Sequence, residues 1–116
     1  MSDDPRSAMI QDGNIMRIEN ALVEETFCFN DSSGYIIVSY SVPGENNTSF
    51  IEYIRLNFSR NTVMINSFGQ NVCPCCLQKG MWVNVIFSSR MTRSIPPQSG
   101  ALLIVVKRGI QTPSSV

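Results

Sequence analysis

Residues 71 to 87 read NVCPCCLQKGMWVNVIF, and they hold three of the chain's four cysteines in four consecutive positions. Cys73 and Cys76 are spaced CxxC with Pro74 between them, the spacing of a dithiol that can open and close a disulfide. If a helix starts at this point, its free N–H groups and dipole would favour the Cys73 thiolate. A thioredoxin-type exchange centre, however, stands on a strand-helix-strand unit with parallel pairing, and no such unit is legible around this motif.

A second chemistry is a structural zinc site, which needs four tetrahedrally placed ligands. The chain contains no histidine, so the soft ligands are Cys28, Cys73, Cys75 and Cys76. Neighbouring Cys75 and Cys76 seldom ligate one ion together, and a second CxxC knuckle is missing, so ligation shared between chains is the most workable form. The third reading gives the cysteines no chemistry: they act as small hydrophobes that pack one end of a core. This reading is preferred, with the thiols reduced and metal-free and Cys73 the most exposed of them. Four cysteines, three of them bunched, do not suggest a disulfide framework. No cofactor is expected.

Other catalytic arrangements are missing as well. There is no histidine for acid-base work, no nucleophile elbow, no phosphate-cradling glycine loop and no carboxylate pair in an apolar setting. Glu24 and Glu25 fall beside an expected turn, where solvated carboxylates are ordinary. The chain therefore reads as a non-enzymatic domain.

The elements that must position these residues are mostly strands. A length of 116 residues with 43% hydrophobic and 16% charged residues fits one globular domain. Short runs rich in β-branched and aromatic residues favour an all-β core. Residues 1–9 read as a flexible lead, residues 10–108 as a single barrel domain and residues 109–116 as a flexible tail. Five strand-like runs lie between the ends. Gly13 opens the first, at about residues 14–23, where Met16 and Ile18 alternate with Arg17 and Glu19. The second is YIIVSYSV at 35–42, between the turns DSSG and PGENN. In the third, FIEYIRLNF, the residues Phe50, Glu52, Ile54, Leu56 and Phe58 share one face, and Glu52 is its only polar intruder. TVMIN adds a short extended piece. The fourth strand is MWVNVIFSS at 81–89, with Met81, Val83, Val85 and Phe87 inward. The fifth, ALLIVVKR, is a continuous apolar run of the kind buried on both faces. One short helix fits over about residues 67–79, capped by Ser67 or Asn71, with Pro74 in its first turn and Gly80 past its end.

Three strands, a short helix and two more strands make the plan of the five-stranded OB barrel, in which the helix between strands three and four plugs the floor. The run Leu77-Gln78-Lys79-Gly80-Met81-Trp82-Val83 resembles the approach to strand four in OB-type domains. Ile95-Pro96-Pro97-Gln98 followed by Ala101-Leu102-Leu103-Ile104-Val105-Val106 is similar to the close of a group of small uncharacterised bacterial proteins with a Pro-Pro-Gln turn before a last apolar strand. The resemblance spans about residues 10–108. It implies the OB-like fold and brings no activity with it, and the cysteines are no part of its pattern.

An OB-like barrel points to binding. Such barrels hold oligonucleotides and oligosaccharides on strands two and three and on the loops at the mouth, through aromatic stacking and basic residues. Tyr53 and Arg55, with Trp82, Arg90 and Arg93, are the residues that could serve. The plain alternatives are a tyrosine that covers a sheet and a tryptophan that packs half-buried. Charge argues against a nucleic-acid surface: nine acids balance nine bases. All nine acids lie in residues 1–52 beside two bases, a net of −7, and residues 53–116 carry seven bases and no acid, a net of +7. Interleaved strands would mix the two signs, or the halves would face a partner or a second copy, with Trp82, Met81 and Ile95 as an apolar contact. A protein partner or self-association is favoured over single-stranded nucleic acid. The polar, acidic start and the lack of any apolar run near the ~20 residues that span a bilayer lead us to expect a cytoplasmic protein without a membrane segment.

Overall fold

The longest strand explains how the others meet. In the computed structural model, which describes residues 5–108, β2 runs from Ile15 to Asn30 and pairs along both of its edges. Met16 and Ile18 point inward, and then the period slips: Ile18 pairs with Val85, but the next inward residue, Ala21, pairs with Val83. The extra residue is absorbed at Asn20, whose φ of 59° lies in the left-handed region that asparagine tolerates. The Asn20 amide donates to Asn84 Oδ1 at 2.8 Å, which fixes the bulge. A second irregularity falls at Glu24, between the pairs Val23–Val38 and Glu25–Ile37. Bulges bend a strand and raise its twist. β2 can therefore pair with β6 (Trp82–Ser88) along its first half and with β3 (Ser33–Pro43) along its second.

β3 pairs antiparallel with β4 (Ser49–Phe58), β4 pairs parallel with the start of β7 (Gln98–Arg108), β7 pairs antiparallel with β6, and β6 returns to β2. The circuit β2-β3-β4-β7-β6 is a closed, five-stranded, OB-like barrel. Two short strands complete its wall. β1 (Met9–Asp12) folds back on the start of β2 through the turn at Gly13, whose φ is 66°. β5 (Val63–Asn66) pairs in parallel with β7 at Leu103–Val106, beyond the point where β4 leaves that edge. The segment before β1 lies on β3: Ser41 donates its amide to the Ser7 carbonyl, and Arg6 Nε donates to Ser39 Oγ.

The interior is continuous and apolar. Ile18, Val23, Ile36, Val38, Ile54, Leu56, Val83, Val85, Phe87 and Ile104 have no solvent exposure. On β4 the alternation holds, but the barrel covers only Ile54, Leu56 and Phe58. Phe50 and Glu52 stand on the β3–β4 hairpin where it extends past the barrel end, and Phe50 is 59% exposed. Glu52 faces Tyr40 across the strands, and burial, with Glu52 beside it, raises the Tyr40 hydroxyl above its usual pKa.

Two expectations are corrected. The last apolar run is not buried on both faces: a bulge between the pairs Ile86–Leu103 and Phe87–Ala101 turns Leu102 outward, 46% exposed, and keeps Ala101 and Ile104 inside. The helix over 67–79 does not form either. Residues 64–72 instead fold back as a hairpin, in which the Asn66 amide donates to the Gln70 carbonyl and the Val72 amide to the Met64 carbonyl, while Asn66 Oδ1 accepts the amides of Phe68 and Gln70 in the turn at 2.9 and 3.1 Å. Gly69, with φ 82°, then turns the chain so that Asn71 bridges back to Ile65. Pro74–Cys76 form a single 3-10 turn. What fills the barrel end in place of a helix is the side chain of Leu77, which is buried in the core. Gly80, with φ 98°, closes the segment by donating its amide to the Val23 carbonyl. The expected flexible tail at 109–116 and the first four residues of the lead lie outside the described residues.

Candidate functional site

Past its second bulge β2 places Glu25, Phe27 and Phe29 on the outside of the barrel, beside Tyr35 of β3 and Arg55 of β4. Phe27 stacks on Tyr35 with ring centroids 5.7 Å apart, and Phe29 meets Phe27 edge-on at 5.0 Å. The Arg55 guanidinium lies 3.8 Å from the centre of the Tyr35 ring, a cation–π contact, while its Nε donates to Asn57 Oδ1. The Tyr35 hydroxyl donates to Glu25 Oε2 at 2.9 Å, and that bond is the main reason its pKa is raised. These contacts hold the rings in fixed positions, yet Phe29 is 61% exposed. The cluster is an apolar platform whose polar edge is already hydrogen-bonded.

The platform continues along β4 to Tyr53, which is 47% exposed. The loop at 89–97 arches over it and presents Ile95, 99% exposed, with Pro96 behind. Two concavities flank Tyr53 beneath that loop. One, of about 320 Å³, is lined by Glu24, Glu25, Ile37, Tyr53, Ile95 and Pro96. The other, of about 240 Å³, lies toward Ile51, Glu52 and Pro97. Glu24 accepts from Ser39 Oγ at 2.7 Å and pairs with Arg6 at 3.6 Å, so its carboxylate is fixed where it faces the first concavity.

Of the residues singled out from sequence, Tyr53 and Arg55 stand on this face. Arg90 and Arg93 belong to the loop that carries Ile95; both are exposed, and their side chains make no hydrogen bond or ion pair with any described residue. Trp82 does not join them. It opens β6, half-buried, opposite Leu22 and Arg108, and β6 neighbours neither β3 nor β4. Phe27, Phe29 and Tyr35 were not anticipated. Their signal was the period-two spacing of Glu25, Phe27 and Phe29, which reappears only after the bulge at Glu24.

The cysteines gather at the same end of β2, where Cys28 lies between Phe27 and Phe29 and packs toward the core instead of outward. Cys28 and Cys75 form a disulfide, which corrects the expectation of four reduced thiols. The barrel brings the end of β2 against the 3-10 turn, and the link pins the two together. Cys73 does occupy the cap position of that turn, and Cys73 and Cys76 are the free, exposed thiols. The turn has only three residues, so the dipole argument made for a longer helix does not apply to it. The Cys76 amide donates to the Cys73 carbonyl at 2.9 Å, and a hydrogen bond between the two thiols raises the Cys76 pKa above its usual 9.0. With Cys28 and Cys75 joined, two thiol ligands remain, and among the described residues no group of three or more cysteines and carboxylates is disposed to hold a metal ion. Among the described residues there is also no helix long and apolar enough to cross a membrane.

No protein-family profile matches the chain, and no curated protein or solved structure is similar enough to match it. The barrel agrees with the fold that the sequence resemblance implies, and the reading of function rests on the geometry above.

Proposed function

We propose that this barrel is a non-enzymatic binding or assembly domain that engages a protein partner, or a second copy of itself, through the outer face of β2–β4. The observation that carries the reading is the exposed stripe on that face, made of the Phe27–Phe29 pair and, past Tyr35 and Arg55, of Tyr53 with Ile95. Large rings held rigid by their neighbours bury area at low entropic cost, and aromatic residues are enriched at protein interfaces for that reason. The charge around the stripe favours protein over nucleic acid. Glu24 and Glu25 line the concavity beside Tyr53, and the cation within the platform, Arg55, is already engaged over the Tyr35 ring. A phosphate backbone laid along Tyr53 would run beside fixed carboxylates.

Binding of single-stranded nucleic acid or oligosaccharide is the second reading. It draws support from the position of the face, which lies on the second and third barrel strands and beneath the loop before the last, where OB barrels take such ligands. Arg90 and Arg93 would then supply the field for phosphates. Kinship with the small bacterial barrel proteins rests on the Pro-Pro-Gln turn and the apolar strand after it. Against the cytoplasmic setting expected from the sequence stands the Cys28–Cys75 bond, which is of a kind retained in oxidising compartments. The redox state of that bond in cells decides between them.

Two measurements test the proposal. Sedimentation velocity over a concentration series should show association that Phe29→Glu and Ile95→Glu abolish, if the partner is a second copy. Fluorescence anisotropy with short DNA and RNA oligomers at low salt should show no binding. Micromolar affinity that disappears in Arg90→Glu with Arg93→Glu would reverse the order of the two readings.

A further inference from the structure

We infer that Cys73 and Cys76 form a covalent exchange site for a small, zwitterionic peptide disulfide of the glutathione-disulfide type, independent of the aromatic face. The geometry has four parts. An i to i+3 backbone hydrogen bond closes the turn from Cys73 to Cys76, and such a turn holds its end Cα atoms within about 7 Å, near the span a disulfide bridges. Both thiols are exposed and free. The Cys28–Cys75 bond anchors the middle of the turn to the end of β2, so the two thiols cannot drift apart when one of them reacts.

The fourth part is a neighbouring concavity of about 380 Å³ whose lining includes Asn71, Val72 and Pro74; Cys73 lies between the last two in the chain and stands beside the concavity, outside its lining. Its polar lining includes Arg60, Asp31 and Ser59. Arg60 makes no ion pair or hydrogen bond with any described side chain, so its guanidinium is available to a carboxylate. Asp31 stands across the same space to receive an ammonium group. One cation, one anion and a set of hydroxyl and amide groups beside a dithiol suit a short peptide with both terminal charges.

The exchange balances as follows. The Cys73 thiolate attacks one sulfur of the peptide disulfide; the S–S bond of that disulfide breaks, a Cys73–peptide mixed disulfide forms, and one peptide thiolate leaves and takes up a proton. Cys76, which keeps its proton until then, loses it and attacks the Cys73 sulfur. The second peptide leaves as a thiol and a Cys73–Cys76 disulfide remains. Two electrons pass from the dithiol to the peptide disulfide, and the two protons of the dithiol end on the two peptide thiols.

The test uses the full chain with its Cys28–Cys75 bond intact. Incubated with glutathione disulfide and mapped by mass spectrometry, the protein should gain a Cys73–Cys76 linkage with Cys28–Cys75 unchanged. Cys76→Ser should accumulate glutathione on Cys73, and Cys73→Ser should react far more slowly at Cys76. Arg60→Ala should slow reaction with glutathione disulfide by ~2- to 5-fold, the size of a solvent-exposed charge contact, and leave reaction with uncharged hydroxyethyl disulfide unaltered. Failure to form the Cys73–Cys76 bond, linkage of either thiol to Cys28 or Cys75, or faster modification of Cys76 than of Cys73 overturns the exchange site. Equal slowing with both disulfides, or with neither, overturns the assignment of a charged peptide.

Discussion

Replacing Cys28 and Cys75 together by serine removes a link between residues 47 apart in sequence. Its stabilising effect follows from the entropy that the link takes from the unfolded chain. For a closed loop of this length the chain-entropy relation gives about 4 kcal/mol at room temperature. That is a large fraction of the ~5–15 kcal/mol by which a domain of this size is stable. With a urea slope of about 1–2 kcal/mol per molar, the unfolding midpoint should fall by about 2–4 M. The assay is equilibrium unfolding in urea, followed by Trp82 fluorescence and by far-ultraviolet dichroism. The parent protein is measured without reductant and again with it, and the reduced parent should reproduce the midpoint of the double variant. A double variant within about 1 kcal/mol of a parent shown by mapping to carry the bond would refute the loop-entropy reasoning. A parent purified under non-reducing conditions with all four thiols free would refute the pairing itself.

Gly34→Ala places a methyl group onto the Phe27 carbonyl oxygen and 2.9 Å from the Cys28 Cα. Both obstacles are backbone, so we expect a loss of about 3 kcal/mol or more and a fall in Tm of at least ~10 °C by calorimetry. Leu56→Ala and Phe50→Ala remove residues from the same alternating face of β4, yet Leu56 is inside the barrel and Phe50 outside; chemical denaturation should show a cost of ~2–5 kcal/mol for the first and under ~0.5 kcal/mol for the second. The Tyr40 hydroxyl is raised above 10.0 by burial and then by Glu52, so its contribution to stability is complete below about pH 10 and disappears as pH climbs through the folded value. Urea midpoints from pH 8 upward should show a decline above about pH 10 that is shallower in Tyr40→Phe, and an equal slope in both proteins would contradict it.

Where a strand kept one period from end to end, sequence and structure agree. The alternation of Val83, Val85 and Phe87 on β6 and of Ile54, Leu56 and Phe58 on β4 marked the inward residues correctly. Where a strand changed period, reading it from sequence stopped short. The bulge at Glu24 ended the first expected strand near Val23, and with it went Phe27 and Phe29, half of the aromatic platform. The bulge at Leu102 made a one-sided strand look two-sided, because apolar residues on both sides of a slipped register print as a continuous run. The expected helix failed for a local reason: Pro74 and Gly80 are sound punctuation, but residues 64–72 pair with each other as a hairpin, with Asn66 N–H on the Gln70 carbonyl and Val72 N–H on the Met64 carbonyl, and no helical run remains before Pro74. The partner of Cys28 was beyond any local rule. It depends on the barrel bringing residues 28 and 75 to a Cα separation of 5.8 Å, which no spacing within the CPCC motif records.

Because β7 lies later in the chain than every strand it pairs with, the topology also sets an order of assembly. β2, β3 and β4 are joined by short turns at Asp31–Ser32 and at residues 44–48, so their ladders close over small loops. The contact of Arg55 with Gln98 must instead close a loop that contains β5, the 3-10 turn and β6. Loop closure of that kind carries its entropic cost before any contact rewards it, and it slows folding. The meander forms first on this ordering, with Ile54 and Leu56 covered on one side only, and the barrel stays open until β7 docks between β4 and β6. Changes to hairpin turns should therefore act on the early part of folding, and changes to β7 on the step that commits the barrel to its closed form.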